Sequence, residues 1–523
     1  MNETATPKRI LWADDEIALL KPHVLFLKSR GYDVTTVTSG DEAVDLVRES
    51  TFDAVLLDEM MPGRDGLSTL EGIKEFDESI PVIMITKSEE EELVDTAIRK
   101  RINDYLLKPV NPVQILSALR RVLDRDKIEQ NQVTQDYLAE FNRIRAAAHT
   151  ADWREWIDIH KTLSRWDLEF ERFRDIGLKQ THADVHKEMN AEFSRFVQRN
   201  YKGWVQDGDG PNMSPDLFRE YVIPSLRKNE KVYFIVIDCM RLDHWYALES
   251  MLEPYFHMRT DYYYSILPTA TPYSRNAIFA GLYPDDIAKK HPQWWKEGTN
   301  DEKSLNRNEN ELMNAQLKRE HVDLPRKPKY IKIYNADEAN MHRKQVSSLF
   351  SIPLVAMVFN FVDIFAHGRS DSEILQELAP DEAAFRSVMG SWFKHSALFE
   401  MLRAISSQDA KVFITTDHGS VICRKSATVY GNKQASTNLR YKYGVNLNCE
   451  DEKQVVKVDD PAEYRLPADG LGKNYIFAKE NYYFVYPTNF HEYERQFRNT
   501  FQHGGISMEE MILPIAALTP KRT

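Results

Sequence analysis

Short unbroken apolar runs alternate with helical stripes over residues 8 to 123. The runs are Ile10-Leu11-Trp12-Ala13, Ala54-Val55-Leu56-Leu57, Val82-Ile83-Met84-Ile85 and Tyr105-Leu106-Leu107. Between them apolar residues return at helical spacing over 17–30, 42–49, 66–75, 90–101 and 112–123. A short continuous run fits a strand buried on both faces, and the longer stripes fit amphipathic helices. Strands alternating with helices predict a parallel sheet covered on both sides.

The rhythm changes at Asp126. Glycine nearly disappears, charge is dense, and Trp153, Trp156, Ile157, Leu163, Trp166, Phe170, Phe173 and Ile176 follow helical spacing. Phe193, Phe196 and Val197 begin a further face, so 126 to 207 predicts a bundle of about three helices. The stretch Asp207-Gly208-Asp209-Gly210-Pro211-Asn212 is a turn-rich break. Beyond it, a helix opens at Ser214-Pro215, and Val232-Tyr233-Phe234-Ile235-Val236-Ile237 reads as a buried strand stopping at Asp238. Phe413-Ile414-Thr415-Thr416 likewise runs out into Asp417-His418-Gly419. The expected domains are therefore 1–125, 126–207 and 208–523, all of α/β or helical type.

Composition narrows the class. A chain of 523 residues, 42% hydrophobic and 28% charged, is an ordinary globular protein of several domains. Three cysteines without regular spacing make neither a disulfide framework nor a thiolate metal site. The start Met1-Asn2-Glu3-Thr4 has no apolar signal core, and no run approaches the ~20 residues that span a bilayer. A cytoplasmic protein without a membrane span is expected. The formal charge of −12 argues against broad coating of nucleic acid, and disfavours a DNA-binding output.

The polar strand ends carry the candidate chemistry. In the first domain Asp14 and Asp15 follow one strand, Asp58 another, Thr86 a third and Lys108 a fourth. Three carboxylates meeting at one edge call for a hard divalent cation such as Mg²⁺. One of them can then accept a phosphoryl group, with Lys108 and the Thr86 hydroxyl on its oxygens. In the last domain Asp363 and His367 stand four apart, so a helical turn puts both on one face. His503 lies beside Gly504 and Gly505. With Asp238, Asp417 and His418 these make three carboxylates and three imidazoles, enough for two divalent ions with positions left open. Three Asp against two such ions leave about +1, which suits an anionic substrate.

In Leu267-Pro268-Thr269-Ala270-Thr271-Pro272-Tyr273 the proline keeps Thr271 out of the α region and opens a helix that can stop at Gly281. Thr271 is then expected at the N-cap, beside unpaired N–H groups that attract anions.

Residues 1–125 resemble the receiver domain of two-component response regulators, through Asp14-Asp15, Asp58 with Met61-Pro62 and Asp65-Gly66, Thr86, and Lys108-Pro109. The resemblance implies a flavodoxin-like sheet, Asp58 as phosphoacceptor, and Thr86 with Tyr105 as the switch pair. Lys87 departs from the small residue usual there. Roughly the last 300 residues resemble the alkaline phosphatase superfamily, an α/β sandwich, and within it the PglZ-type domains and nucleotide phosphodiesterases. That resemblance implies Thr271 as nucleophile, Asp363, His367 and His503 on one zinc, and Asp238, Asp417 and His418 on the other. Gly281-Leu282-Tyr283-Pro284 is close to the diesterase pattern, and Asp238-x-x-Arg241 to the PglZ pattern. Arg241 is read equally as a phosphate contact or a structural ion pair, and Arg275, one turn from Thr271, as a second candidate contact.

The order receiver, helical module, phosphatase-like domain resembles a family of response regulators linked to type IX secretion. It implies a sensor histidine kinase upstream, a sigma factor as partner, a nucleotide-type phosphodiester as substrate and a phosphorylation-dependent homodimer. The alternative is a signalling adaptor that binds a partner without turnover.

Four features stand outside that frame. His149, His160, His182 and His186 are expected on the surface or at caps, because no third ligand accompanies the metal-like spacing of His182 and His186. The segment 284–334 is expected to overhang the metal site as an insertion, with Trp294 and Trp295 either packing it or stacking on a base. The basic run Arg326-Lys327-Pro328-Lys329 reads as a solvated turn, and 430–469 has no assignable role.

Overall fold

The computed structural model describes residues 7–87, 102–123, 125–172, 176–295, 306–369, 372–431, 438–468 and 472–521. The helix expected over 90–101 lies outside them. The chain divides into two compact units, Met1–Leu138 and Ala139–Thr523.

In the first unit the strands Lys8–Ala13, Ala54–Asp58, Val82–Thr86 and Asp104–Leu107 form where the apolar runs stand. A fifth, Tyr32–Val37, pairs outside Lys8–Ala13, so the parallel order is second, first, third, fourth, fifth. That edge strand lacks a continuous apolar run because only Val34 and Val37 of it are buried. Alternate residues feed two cores. Leu11, Val55, Leu57 and Met84 pack with Val44, Leu70 and Ile73, while Ile10, Trp12, Leu56 and Ile85 pack with Leu27, Ile115 and Leu119. Ser39 and Asp65 cap the helices Gly40–Glu49 and Gly66–Phe76 through their side chains.

The second unit is built on a six-stranded sheet. Its order is Phe256–Tyr264, Ile512–Pro520, Lys411–Thr415, Val232–Ile237, Leu354–Phe359 and Lys329–Ile333. The last four are mutually parallel, and Ile512–Pro520 runs antiparallel to both its neighbours. Every residue of Val232–Ile237 and Leu354–Phe359 is buried, as a sheet covered on both faces requires. Val232, Phe234 and Val236 face one core, and Tyr233, Ile235 and Ile237 the other.

The helices Trp153–Arg172 and Ile176–Asp207 do not form a bundle apart. Trp156, Leu163, Phe193 and Val197 join Tyr264 and Ile266 in the first of those cores. Trp156 meets Phe193 edge-on at 5.3 Å, and the Tyr264 hydroxyl donates to the Trp153 carbonyl at 2.8 Å. The surface expectation holds for His149 but fails for His160 and His182, both buried in this joint.

The segment after Gly281 is also structural. Leu312 and Met313 of the helix Glu309–Arg319 share a core with Ile278 and Phe279, and Lys329–Ile333 is the sheet's edge strand. An overhanging lid was expected from its polarity, yet its helix and strand pack into the core, and buried polar residues such as Glu309 and Gln316 lie inside with Leu312 and Met313. Gly281 ends the helix Thr271–Ala280 at φ 58°, and an added Cβ would lie 2.1 Å from the Gln316 side chain.

The 430–469 region supplies Arg440, which is fully buried against Glu510 with Nη2 2.6 Å and Nε 2.9 Å from its two oxygens. Removing one partner of such a pair strands the other charge, at ~3–5 kcal/mol. Arg440→Ala should therefore lower unfolding free energy by about that amount in denaturant titration. Arg440→Met combined with Glu510→Leu should recover a substantial part of the loss.

Candidate functional site

The parallel strands of the second unit end together. Thr415 pairs with Val236, and Ile237 with Phe359, so Asp417-His418, Asp238 and the helix Phe361–Gly368 emerge at one edge. This is the carboxyl edge where open α/β sheets hold ligands. Here Asp238, Asp417 and His418 bring three ligand atoms within 4.8 Å of one another, and so do Asp363, His367 and His503. Thr271 faces the first group, its Oγ1 3.0 Å from His418 Nε2 and 3.5 Å from Asp238 Oδ1.

The imidazoles are aimed from behind. His418 Nδ1 lies 3.1 Å from the Gly419 carbonyl and His503 Nδ1 3.3 Å from the Thr269 carbonyl. A ring that donates through Nδ1 leaves Nε2 as its lone-pair nitrogen, the arrangement of metal-binding histidines. His503 Nε2 then lies 3.5 Å from Asp363 Oδ1 and 2.9 Å from His367 Nε2. Thr269 is locked in this support: its hydroxyl donates to the Gly505 carbonyl and accepts from the Gly504 N–H. It holds the His503 loop rather than presenting a second nucleophile.

Backbone strain shapes the same edge. Cys239, directly after Asp238, is buried at φ 65°, a left-handed value costly for a residue with a side chain. In that conformation the Cys239 N–H points to Asp417 Oδ1 at 3.3 Å, and the Met240 N–H to Thr416 Oγ1 at 3.0 Å. Gly419 lets the turn close, since a Cβ there would lie 1.9 Å from the Glu509 carbonyl oxygen.

The electrostatics call for cations. Burial, then the neighbouring Asp238, push the Asp417 carboxyl up to about 6. Burial also raises Asp238 and takes His418 down to about 4. Asp363 is held well below the usual range, because the His367 and His503 imidazoles outweigh its burial. Asp417 Oδ2 is buried without a hydrogen-bond partner, and the Arg275 guanidinium is 3.6 Å away. Three imidazole nitrogens, three carboxylates and an unpartnered buried oxygen fit a pair of divalent ions of zinc type. The second group is the open side, since the His367 side chain is 44% exposed.

Thr271 is the first residue of its helix rather than the N-cap, which is Ala270 at φ −141°, ψ 144°. The expectation that Pro272 holds Thr271 outside the helix is therefore not met, although a following proline disfavours that conformation. Arg275 does not face an open phosphate position. Its Nη1 lies 2.8 Å from Asp238 and 3.2 Å from Asn360, and its Nε 2.6 Å from Glu309. Glu309 in turn accepts from Lys332 and the Tyr330 hydroxyl. Arg241 is paired with Asp243, its Nε and Nη2 at 2.8 and 2.9 Å, the ion pair of its two readings. Trp295 is buried edge-on against Tyr273, and Trp294 stacks on His291, so both pack the fold.

In the first unit, Asp14, Asp15 and Asp58 also converge within 4.8 Å. Lys108 Nζ joins them, 3.0 Å from Asp14 and 2.9 Å from Asp58. Burial raises the Asp58 carboxyl despite Lys108, and the Lys108 amine is raised because its carboxylate partners outweigh its own burial. Thr86 ends its strand with its hydroxyl on Glu59, and Tyr105 points outward.

Glu309, Asn360, Arg440 and Glu510 escaped the sequence reading, because each is a polar residue whose partner lies far along the chain. So did Asp167 and Glu509, which join His182 and His186. The histidine pair was visible, but Asp167 stands on the preceding helix.

These two sites have counterparts among known proteins. The BREX system PglZ alkaline phosphatase-like domain family matches residues 217–518, more than half of the chain. The response regulator receiver domain matches 10–120, and the PorX response regulator linker domain 127–205. The chain belongs to the PglZ alkaline phosphatase-like family. Its three domains together are those of a PorX-type response regulator.

Curated relatives resemble the receiver segment. The transcriptional regulatory protein ZraR of Klebsiella oxytoca is 33% identical over 135 residues, 26% of this chain and 30% of that protein. BaeR of Escherichia coli is 33% identical over 130 residues, 24% of this chain and 53% of that one. The chain thus spans about a third to a half of the relatives it matches. Among solved structures, the receiver domain of a LuxO repressor protein from Vibrio parahaemolyticus is 27% identical, covering 24% of this chain and 95% of its own, at a TM-score of 0.22. Among the described residues, no helix is long and apolar enough to cross a membrane.

The grouping of ligands is directly testable. His503→Ala and Asp363→Ala should each lower bound zinc by about one equivalent in elemental analysis, since each removes one of three ligands at one position. Unchanged zinc would show that the grouping is wrong.

Proposed function

We propose that this chain is a phosphorylation-controlled, two-zinc phosphodiesterase that acts on nucleotide-type diesters through Thr271. Asp58 is the phosphoacceptor in this reading, with Mg²⁺ held by Asp14, Asp15 and Asp58, and Thr86 and Tyr105 as the switch. The observation that carries it is the position of Thr271 Oγ1, 3.0 Å from His418 Nε2 and 3.5 Å from Asp238 Oδ1, at the start of a helix.

Bound at the two ligand groups, zinc would supply Lewis acidity and positive charge toward the phosphoryl oxygens. The chain's own residues do the rest. The helix start puts the positive end of its dipole behind Thr271. Asp238 and His418 would hold one ion beside the Thr271 hydroxyl, and Thr269 fixes the His503 loop opposite. Thr271 Oγ1 attacks phosphorus, the ester oxygen leaves as an alcohol, and water then cleaves the phosphothreonine from the other side.

The receiver implies a cognate histidine kinase. The proposal extends, through the resemblance to PorX-type response regulators, to a role linked to type IX secretion with a sigma factor as partner.

Thr271→Ala should abolish hydrolysis of a nitrophenyl phosphodiester, by several orders of magnitude in kcat, while metal content and fold stay near the parent's. Near-parental turnover in the folded variant would overturn Thr271 as the nucleophile, and chelator-resistant turnover in the parent would overturn the metal reading.

The engaged arginines bear on substrate charge. Both candidate phosphate contacts, Arg241 and Arg275, are held by carboxylates, so the extra negative charge of a monoester finds little added compensation from them. Under saturating zinc, kcat/KM should be clearly higher for the phenyl diester of nitrophenyl phosphate than for the monoester.

Occupancy of Asp58 should favour a homodimer, and a beryllofluoride complex should raise the sedimenting mass. A shift from mostly monomer to mostly dimer requires several kcal/mol of differential binding, so an unchanged mass over a wide concentration range would count against it.

A further inference from the structure

Outside both sites, the described residues contain one more group of metal-binding side chains. Asp167 lies on the helix Trp153–Arg172, and His182 and His186 stand one turn apart on Ile176–Asp207. One donor atom from each falls within 4.8 Å of the others. His182 Nε2 is 3.0 Å and His186 Nε2 3.4 Å from the same Asp167 oxygen. Around a tetrahedral ion with bonds of about 2.0–2.1 Å, neighbouring donors sit about 3.3 Å apart.

The orientation of His186 is fixed from behind. Its Nδ1 lies 3.3 Å from Glu509 Oε1, and Asn190 Nδ2 donates to both Glu509 oxygens at 3.0 and 2.9 Å. The Asn190 oxygen accepts the Met508 N–H at 2.8 Å, which holds the amide the right way round. A carboxylate on Nδ1 turns the Nε2 lone pair outward. That Nε2 is buried and closes no hydrogen bond. The cluster lines a cavity of about 350 Å³, which leaves room for a fourth, exchangeable ligand.

We propose that Asp167, His182 and His186 form a third divalent-metal site, zinc by its two-imidazole, one-carboxylate donor set. Glu509 and Asn190 act as its supporting shell. The site joins the two helices to the turn that follows His503, and it is separate from the two-metal reading of the phosphatase-like domain. The competing arrangement is an imidazolium at position 186 bridging Asp167 and Glu509 without metal.

The test uses the full chain in which Asp238, Asp363 and Asp417 are all changed to Asn, so that the phosphatase-like site no longer holds metal. After loading with Zn²⁺ and gel filtration, about one equivalent should remain, and His186→Gln in that background should remove it. Loading with Co²⁺ should give visible absorption of a low-coordinate ion, lost in the same variant. Should His186→Gln not fold by circular dichroism, Asp167→Asn, of the same shape, replaces it. No retained zinc in the triple variant, or equal zinc with and without His182 and His186, overturns the proposal. In the otherwise unchanged chain, His186→Gln should lower zinc by about one equivalent. Failure of the diesterase assay alone leaves this metal count intact, so the two readings fail separately.

Discussion

Like charges forced together at the carboxyl edge of a buried sheet are the constraint that organises this molecule. Asp238 and Asp417 have ligand oxygens within 4.8 Å of each other, in a site where both residues are buried. Two such charges repel by about 4 kcal/mol at 4 Å, taking an effective dielectric constant of about 20. Among the described residues Arg275 is the fixed cation paired with Asp238, and Glu309 neutralises much of it. Burial, and then the neighbouring Asp238, push the Asp417 carboxyl up to about 6. An edge built this way is incomplete by itself, and divalent ions supply the missing charge. The receiver repeats the logic on a smaller scale, with three carboxylates around one lysine.

The surrounding fold keeps that edge from relaxing. Carboxylates in conflict would swing apart if their backbone allowed it. Cys239 is instead held at a left-handed φ, and its N–H ties the strand ending at Ile237 to Asp417 on the neighbouring strand. Gly419 packs backbone to backbone against Glu509, which leaves the Asp417-His418 turn no room to open. The two Nδ1 contacts to the carbonyls of Gly419 and Thr269 fix the histidine rings from the outside. The geometry is preorganised because its strain is distributed over elements far apart in sequence.

This explains which features were legible from residues alone. Asp238 and Asp417 were visible because each terminates an apolar run, and the period of the run announces the strand. Asp363 and His367 were visible through their helical spacing. The receiver strands stood out for the same reason, except Tyr32–Val37, whose outward residues are polar. What could not be read was pairing at a distance. Arg275 looked like a phosphate contact because Glu309, 34 residues on, gave no local sign of reaching it. Segment 284–334 looked like a lid because its helix is polar on one side, and only the sheet order shows Lys329–Ile333 to be an edge strand. The histidines at 182 and 186 looked solitary because Asp167 and Glu509 approach them from another helix and from the far end of the chain.

Those last contacts locate a mechanical junction. Glu509 and Glu510 are adjacent on the short helix Met508–Met511, yet they serve opposite sides. Glu509 is bound by His186 and Asn190 of the long helix Ile176–Asp207. Glu510 accepts from Arg440, from Ser507 and from the Gly505 N–H, two residues past His503. A displacement of the long helix along its axis cannot leave Glu509 in place without stranding buried polar groups, each at ~1–3 kcal/mol. Moving Glu509 with it drags Glu510 and the Gly504-Gly505 turn that sets the height of His503. The backbone carbonyl of Glu509 also backs Gly419 beside His418. Helix position and the placement of two metal-facing histidines are therefore linked through contiguous buried hydrogen bonds. The helical segment and the site thus share a contiguous buried path, beyond the fact that one precedes the other in the chain.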